Sequence, residues 1–170
     1  MVSTRGLSQP VCFAAGTTIL LADGTNKAID EIEVGEMVLA AADRDPEGPV
    51  EPRRVVEVYH NRPDQVMRLQ VGELTIRPTL KHPFYVKHKG WTAAGELKVG
   101  DELRTHDGRW TQLTATEDRN ETEPVYNLHV EGYHTYFVGN TSVASAVLVH
   151  NDSESSESSV TVATSASCVG

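Results

Sequence analysis

Short apolar runs, broken at intervals by Gly, Pro and Asp-Gly turns, recur from Thr18 to His150, and this rhythm is what limits the fold. Thr18-Ile19-Leu20-Leu21-Ala22, Met37 to Ala41 and Phe84-Tyr85-Val86 read as strands, being short and rich in strand formers. Further strands are expected at Arg54 to His60, Val66 to Val71, Glu73 to Arg77 and Glu102 to Thr105. Trp110 to Thr116, the strongly alternating Val125 to Val130, Tyr133 to Val138 and Val147 to Val149 complete the set. Turns at Asp23-Gly24 and His106-Asp107-Gly108, and loops at Asp45 to Pro49 and Glu117 to Glu123, separate them. Helix signals are few. The pattern predicts a compact all-β domain.

One segment occurs twice. Glu31-Ile32-Glu33-Val34-Gly35-Glu36-Met37-Val38 returns 65 residues later as Glu96-Leu97-Lys98-Val99-Gly100-Asp101-Glu102-Leu103. Apolar, charged and glycine positions coincide, which points to two similar β units related by a pseudo-twofold axis.

Size and charge narrow the function classes. A chain of 170 residues suits one domain with tails, and the net charge of −9, with Lys and Arg scattered, leaves no basic footprint for nucleic acid. The longest apolar run is too short for a membrane span, and residues 1–11 lack the hydrophobic stretch of a signal peptide. Two cysteines, Cys12 and Cys168, cannot build a disulfide scaffold, and a bridge between them is not expected from a tail of such polar composition. Asn120-Glu121-Thr122 and Asn140-Thr141-Ser142 fit the glycosylation sequon, a short pattern that arises often by chance. Composition divides the chain into an N-terminal arm over 1–11, a domain over 12–151 and an acidic, Ser-rich tail over 152–170.

The junction of domain and tail carries the first chemical signal. The apolar run Val147-Leu148-Val149 delivers His150-Asn151 to the point where composition changes. An Asn side-chain nitrogen can attack its own main-chain carbonyl, closing a succinimide and releasing the chain beyond it. The reaction is negligible unless a neighbouring imidazole polarises the carbonyl or protonates the departing amine. His-Asn alone is weak, since a strand ending in polar residues is the commoner meaning.

Four separated motifs raise it. "CFAAGTTILLADG" at Cys12, "TLKHPFYV" at Thr79, "VYNLHVEGYHTYFVG" at Val125 and "VLVHN" at Val147 occur in this order. Together they resemble the blocks of the Hint superfamily, which comprises inteins, bacterial intein-like domains and pretoxin Hint domains. The resemblance runs from Cys12 to Asn151. It implies the Hint fold: all-β, horseshoe-like and pseudo-twofold, with few short helices.

It also implies roles. Cys12 is in the nucleophile slot, where a thiolate attacks the Val11 carbonyl and turns an amide into a thioester; a buried apolar cysteine is the ordinary alternative. His82, picked out of seven histidines by the spacing Thr79-x-x-His82-Pro83, would protonate or help expel the Cys12 nitrogen. Thr79 would hydrogen-bond the oxyanion or hold the scissile bond. His150 would polarise the Asn151 carbonyl or protonate the leaving amine, and His134 would orient or deprotonate the attacking side chain. His129 shares a strand face with Asn127 and Val125 and is read as a cross-strand partner.

Two positions depart from full splicing. Asn127 stands where many splicing inteins carry an ionisable Asp that couples the steps. Asp152 stands where a Cys, Ser or Thr would accept the acyl group. The expected outcome is cleavage on both sides, with ligation of the flanks minor. Such a domain acts once, in cis, on its own flanks, as a monomer and without metal or cofactor. Water or an external thiol or amine is expected to take the acyl group, and neither nucleic acid nor membrane is expected as a partner. Two other readings stand beside it. One is an inert Hint-fold module that links or displays other domains; intact residue types at six positions argue against decay. The other is a metal-binding β protein using Cys12 and histidines, disfavoured by ligands without a paired spacing.

Overall fold

A computed structural model describes residues 11–141 and 145–151; the expectations for residues 1–10, 152–170 and Cys168 lie outside it. Twelve strands form one antiparallel sheet. They are β1 (Phe13–Ala14), β2 (Thr18–Leu20), β3 (Asn26–Ala28), β4 (Met37–Ala41), β5 (Val50–Val71) and β6 (Leu74–Ile76). Then come β7 (Pro83–Val86), β8 (Gly90–Ala93), β9 (Glu102–Arg104), β10 (Trp110–Val130), β11 (Thr135–Val138) and β12 (Val147–His150). The main path runs β3-β2-β11-β12-β7-β9-β10-β5-β4. Two single-turn 3-10 helices, Ile29–Glu31 and Ala94–Glu96, are the helices among the described residues. The expected all-β architecture with few short helices is what the structure shows.

The repeat is structural. In each copy a short strand leads into a 3-10 turn, a glycine at φ near 100° and a further strand. Gly35 at φ 100° and Gly100 at φ 99° occupy a region that side chains rarely enter. Both donate N–H to a following strand, Gly35 to the Val55 carbonyl and Gly100 to the Leu113 carbonyl, and the return bonds run from Val55 to Glu36 and from Leu113 to Asp101. The acidic side chains answer one another too. Glu36 accepts from Lys27 and the Glu33 amide, and Asp101 from Lys89 and the Lys98 amide.

One expectation is revised. The supposed loop Glu117 to Glu123, and the gap before Val66, belong to two long strands, β5 and β10, which pair from Leu113↔Val71 to Val130↔Val55. Residues 118–120 are exposed, so the ribbon faces water there on both sides and shows no apolar alternation to read. Arg68–Glu121 and Arg77–Glu123 ion pairs dress it. The pairing skips between Glu117↔Arg68 and Glu121↔Val66, leaving a bulge that contains Asn120 at φ 57°.

The core gathers where the middle strands cross. Tyr136, Phe13, Phe84, Ile19, Leu69 and Leu128 are fully buried. Phe13 meets Phe84 and Tyr136 edge-on, each with ring centroids 6.2 Å apart. All four residues of β11 are buried, which explains why its sequence reads as a continuous apolar run rather than an alternation. Three pairings position the site. β1 lies on β10 with Phe13↔Tyr126, β12 lies on β11 with Thr135↔His150, and β12 lies on β7 with Val149↔Phe84. Cys12, Asn127, His150 and His82 each flank one of those contacts.

Candidate active site

The Val11–Cys12 bond is sealed from solvent: Val11 is 2 % exposed and Cys12 0 %. Thr79 brackets Cys12. Its hydroxyl accepts the Cys12 N–H at 2.9 Å and donates to the Cys12 carbonyl at 3.2 Å, and its own amide donates to that carbonyl at 2.8 Å. Thr79 thus grips the nitrogen of the peptide bond that precedes Cys12 and fixes the plane of that bond. Cys12 is disulfide-bonded in the structure, which overturns the expectation of an unbridged cysteine, so nucleophilic chemistry there starts with reduction.

His82 ends the turn that Thr79 begins, donating its amide to the Thr79 carbonyl at 3.2 Å. Pro83 then opens β7 and aligns the following residues with β8. The imidazole is fully buried, tilted against Phe13 at 4.1 Å and edge-on to Phe84 at 6.1 Å. Burial drives its pKa down to about 3, against the backbones of Cys12 and His150, which face the ring and favour the proton. Neither ring nitrogen makes a well-formed hydrogen bond to a described residue. The imidazole, neutral at ordinary pH, lies beside the backbones of Cys12 and His150.

That depressed pKa has a consequence for stability. Above the unfolded-state value of about 6.5, His82 is neutral in both states and contributes no pH dependence. As pH falls below it, the unfolded chain binds a proton that the folded chain refuses until about 3, so stability drops. Urea unfolding between pH 6.5 and 5 should show His82→Gln losing less stability than wild type, by about 1 kcal/mol per pH unit. Equal slopes in the two proteins would refute it.

The other end is built by β11 and β12. Asn151 is 2 % exposed, and its amide donates to the His134 carbonyl at 2.8 Å. That carbonyl is presented by a non-glycine residue at φ 61°, a left-handed conformation that costs about 1–3 kcal/mol. The Asn151 carbonyl accepts a hydrogen bond from Asn127 Nδ2 at 2.8 Å. By contrast, neither the Nδ2 nor the Oδ1 of Asn151 has a hydrogen-bond partner among the described residues, although both are buried. Buried amides are nearly always paired, and each unpaired group costs about 1–3 kcal/mol. The side chain that would attack is therefore held without competing bonds from the residues around it.

His150 Nε2 lies 3.1 Å from Asp43 Oδ2, and Trp91 stands edge-on to the ring at 5.1 Å. Asp43 is fixed on three sides: its amide donates to the Tyr133 carbonyl, its carbonyl accepts from Trp91 Nε1, and Thr135 ties the end of β4 to β11 through Ala41. Burial acts to raise the Asp43 pKa, but the His150 hydrogen bond and the nearby His150 and His134 charges outweigh it and hold it below the usual value. The carboxylate is set to orient the imidazole. His134 sits beside this group with its ring stacked on His129 at 5.5 Å. His129 pairs across the ribbon with Glu57, its Nδ1 3.6 Å from Oε1.

Of the residues singled out in the sequence, Cys12, Thr79 and His82 meet on one side, and Asn127, His134, His150 and Asn151 on the other. His82 faces the backbone of both. Asp152 lies outside the described residues. Asp43 and Tyr136 were missed, and neither carries a local signal. Asp43 follows an ordinary strand, and Tyr136 looks like core until its hydroxyl is seen to donate to Asn127 Oδ1 at 2.6 Å.

The profile of the pretoxin Hint domain family matches residues 18–152. A bacterial intein-like domain from Clostridium thermocellum superposes with a TM-score of 0.72 at 37 % identity, covering 82 % of this chain and 98 % of that one. A DnaB intein from Synechocystis sp. PCC 6803 superposes with a TM-score of 0.69 at 21 % identity, covering 84 % and 99 %. A stretch of 100 residues is 32 % identical to the RecA protein of Mycolicibacterium fallax; it takes in 54 % of this chain and 24 % of that protein's length.

Proposed function

Because the chain belongs to the pretoxin Hint domain family, within an intein-like fold whose members process themselves, we propose a specific pair of cleavages. On the N-terminal side the reduced Cys12 thiolate adds to the Val11 carbonyl carbon. The C–N bond then breaks, and the Cys12 nitrogen takes up a proton and becomes a free amine. A Val11 thioester on Cys12 Sγ remains. Water, a thiol or an amine attacks it, freeing residues 1–11 and restoring the thiol. On the C-terminal side Asn151 Nδ2 attacks the Asn151 carbonyl carbon. The bond to residue 152 breaks, the Asp152 amine takes the proton, and a C-terminal succinimide is left.

The observation that carries this reading is the buried Asn151 carboxamide, unpaired among the described residues, beside a carbonyl already engaged by Asn127. A structural asparagine at a strand end would be paired or solvated. His82, neutral and facing the Cys12 backbone, supports a proton-shuttling role at the first bond. The Asp43–His150 pair supports acid–base work at the second. Asp152 argues for cleavage over ligation, since attack by a carboxylate gives a labile anhydride instead of a stable ester.

Intact-mass spectrometry over hours tests it. Wild type treated with a phosphine reductant, which frees Cys12 without attacking carbonyls, should lose residues 1–11 slowly to water. Dithiothreitol, which reduces and also accepts acyl groups, should speed that loss several-fold. Cys12→Ala should show neither, while keeping release of residues 152–170. A wild type that keeps its full mass under both reductants would leave the inert linking module as the better account.

A further inference from the structure

The second cleavage needs a place for negative charge. When Asn151 Nδ2 adds to the Asn151 carbonyl, the oxygen becomes an oxyanion in a site from which water is excluded. Resting on the cyclisation reading above, we infer that the carboxamide of Asn127 is the oxyanion donor for that step, oriented by the Tyr136 hydroxyl. Asn127 is a catalytic residue in this sense, and Tyr136 a positioning residue.

The geometry is direct. Asn127 Nδ2 already donates to the Asn151 carbonyl oxygen at 2.8 Å in the resting state, and that oxygen is the atom on which the negative charge develops. Asn127 and Tyr136 are both 0 % exposed, so the bond acts in a medium of low polarity where it is strengthened. The orientation of the amide follows from chemistry. A carbonyl can only accept, so the Asn127 group facing Asn151 must be the NH2, and its Oδ1 then takes the Tyr136 proton at 2.6 Å. Turned over, the amide would set two oxygens against each other. β10 supplies Asn127, β11 supplies Tyr136 and β12 leads into Asn151, so three strands hold the alignment. Across the ribbon Asn127 pairs with Tyr59, whose own hydroxyl is donated to Glu57, leaving Tyr136 as the titratable side chain bonded to the amide.

The position also gives a meaning to Asn where an ionisable Asp would be familiar. A carboxylate against the Asn151 oxygen would repel the developing charge. An amide donates at every pH.

The test uses the full chain and follows loss of residues 152–170 by intact mass, with thiol-induced loss of residues 1–11 as an internal gauge of folding. Asn127→Ala should slow C-terminal release by about 100- to 1,000-fold while the gauge stays within a few-fold of wild type. Asn127→Asp, nearly the same shape, should release slowly at neutral pH and recover as pH falls and its carboxyl becomes a donor. Tyr136→Phe should slow release by about tenfold, the size of one orienting hydrogen bond. Asn127→Ala releasing as fast as wild type would overturn the donor role alone. An Asn127→Asp profile parallel to wild type would overturn it as well, showing mere shape dependence. A wild type that never releases residues 152–170 would overturn the cyclisation reading and the donor with it.

Discussion

Asn151→Ala keeps residues 152–170 attached throughout a time course in which the wild type loses them. Alanine has no nitrogen to close the ring, and an unactivated peptide bond does not hydrolyse over hours. The effect should be complete. His150→Ala should be slower than wild type by about 100- to 10,000-fold, the usual worth of a positioned proton donor. Both variants should still lose residues 1–11 in dithiothreitol, because Cys12, Thr79 and His82 belong to other segments of the sheet. If Asn151→Ala released its tail at the wild-type rate, the cleavage would have to be hydrolysis by some other group.

Asp152→Cys should change the product from two cleaved flanks to a ligated one. The introduced thiol can take the acyl group from the Cys12 thioester, and Asn151 cyclisation then frees the branched intermediate. The exposed α-amine next captures its own thioester through a five-membered ring. Mass spectra of reduced protein should show residues 1–11 joined to 152–170 rising from a trace to a main product. His82 faces the backbones of both Cys12 and His150, which brings the two junctions to one side chain. Absence of any ligated mass, with both cleavages still running, would mean that the flanks cannot meet.

Much of this was legible in the sequence, and the exceptions have physical causes. Short strands with turn residues between them indicated the all-β class, and the repeated Glu-x-x-Val-Gly segment reported the internal symmetry because a glycine at φ near 100° is required twice. Cys12, His82 and Asn151 could be picked out because their neighbours form recognisable blocks. The ribbon of β5 and β10 could not, since a segment solvated on both faces has no period. Asp43 was invisible for another reason: its meaning lies in His150, 107 residues away in sequence. Asn127 reads in the sequence as the loss of a charge, because the direction of its N–H is set only in the folded sheet, by Tyr136 and the Asn151 carbonyl.

The first described strand, β1, has two residues and the last, β12, has four; β1 is held by β10 and β12 by β11 and β7. In a newly made polypeptide neither junction is special. The carbonyl clamp on Asn151 needs β10 and β11, and the grip of Thr79 on Cys12 needs the turn before β7. Contacts of such long range form late. Under the proposed cleavages the flanks stay joined until the last strand has docked. Cutting becomes a report that assembly has finished.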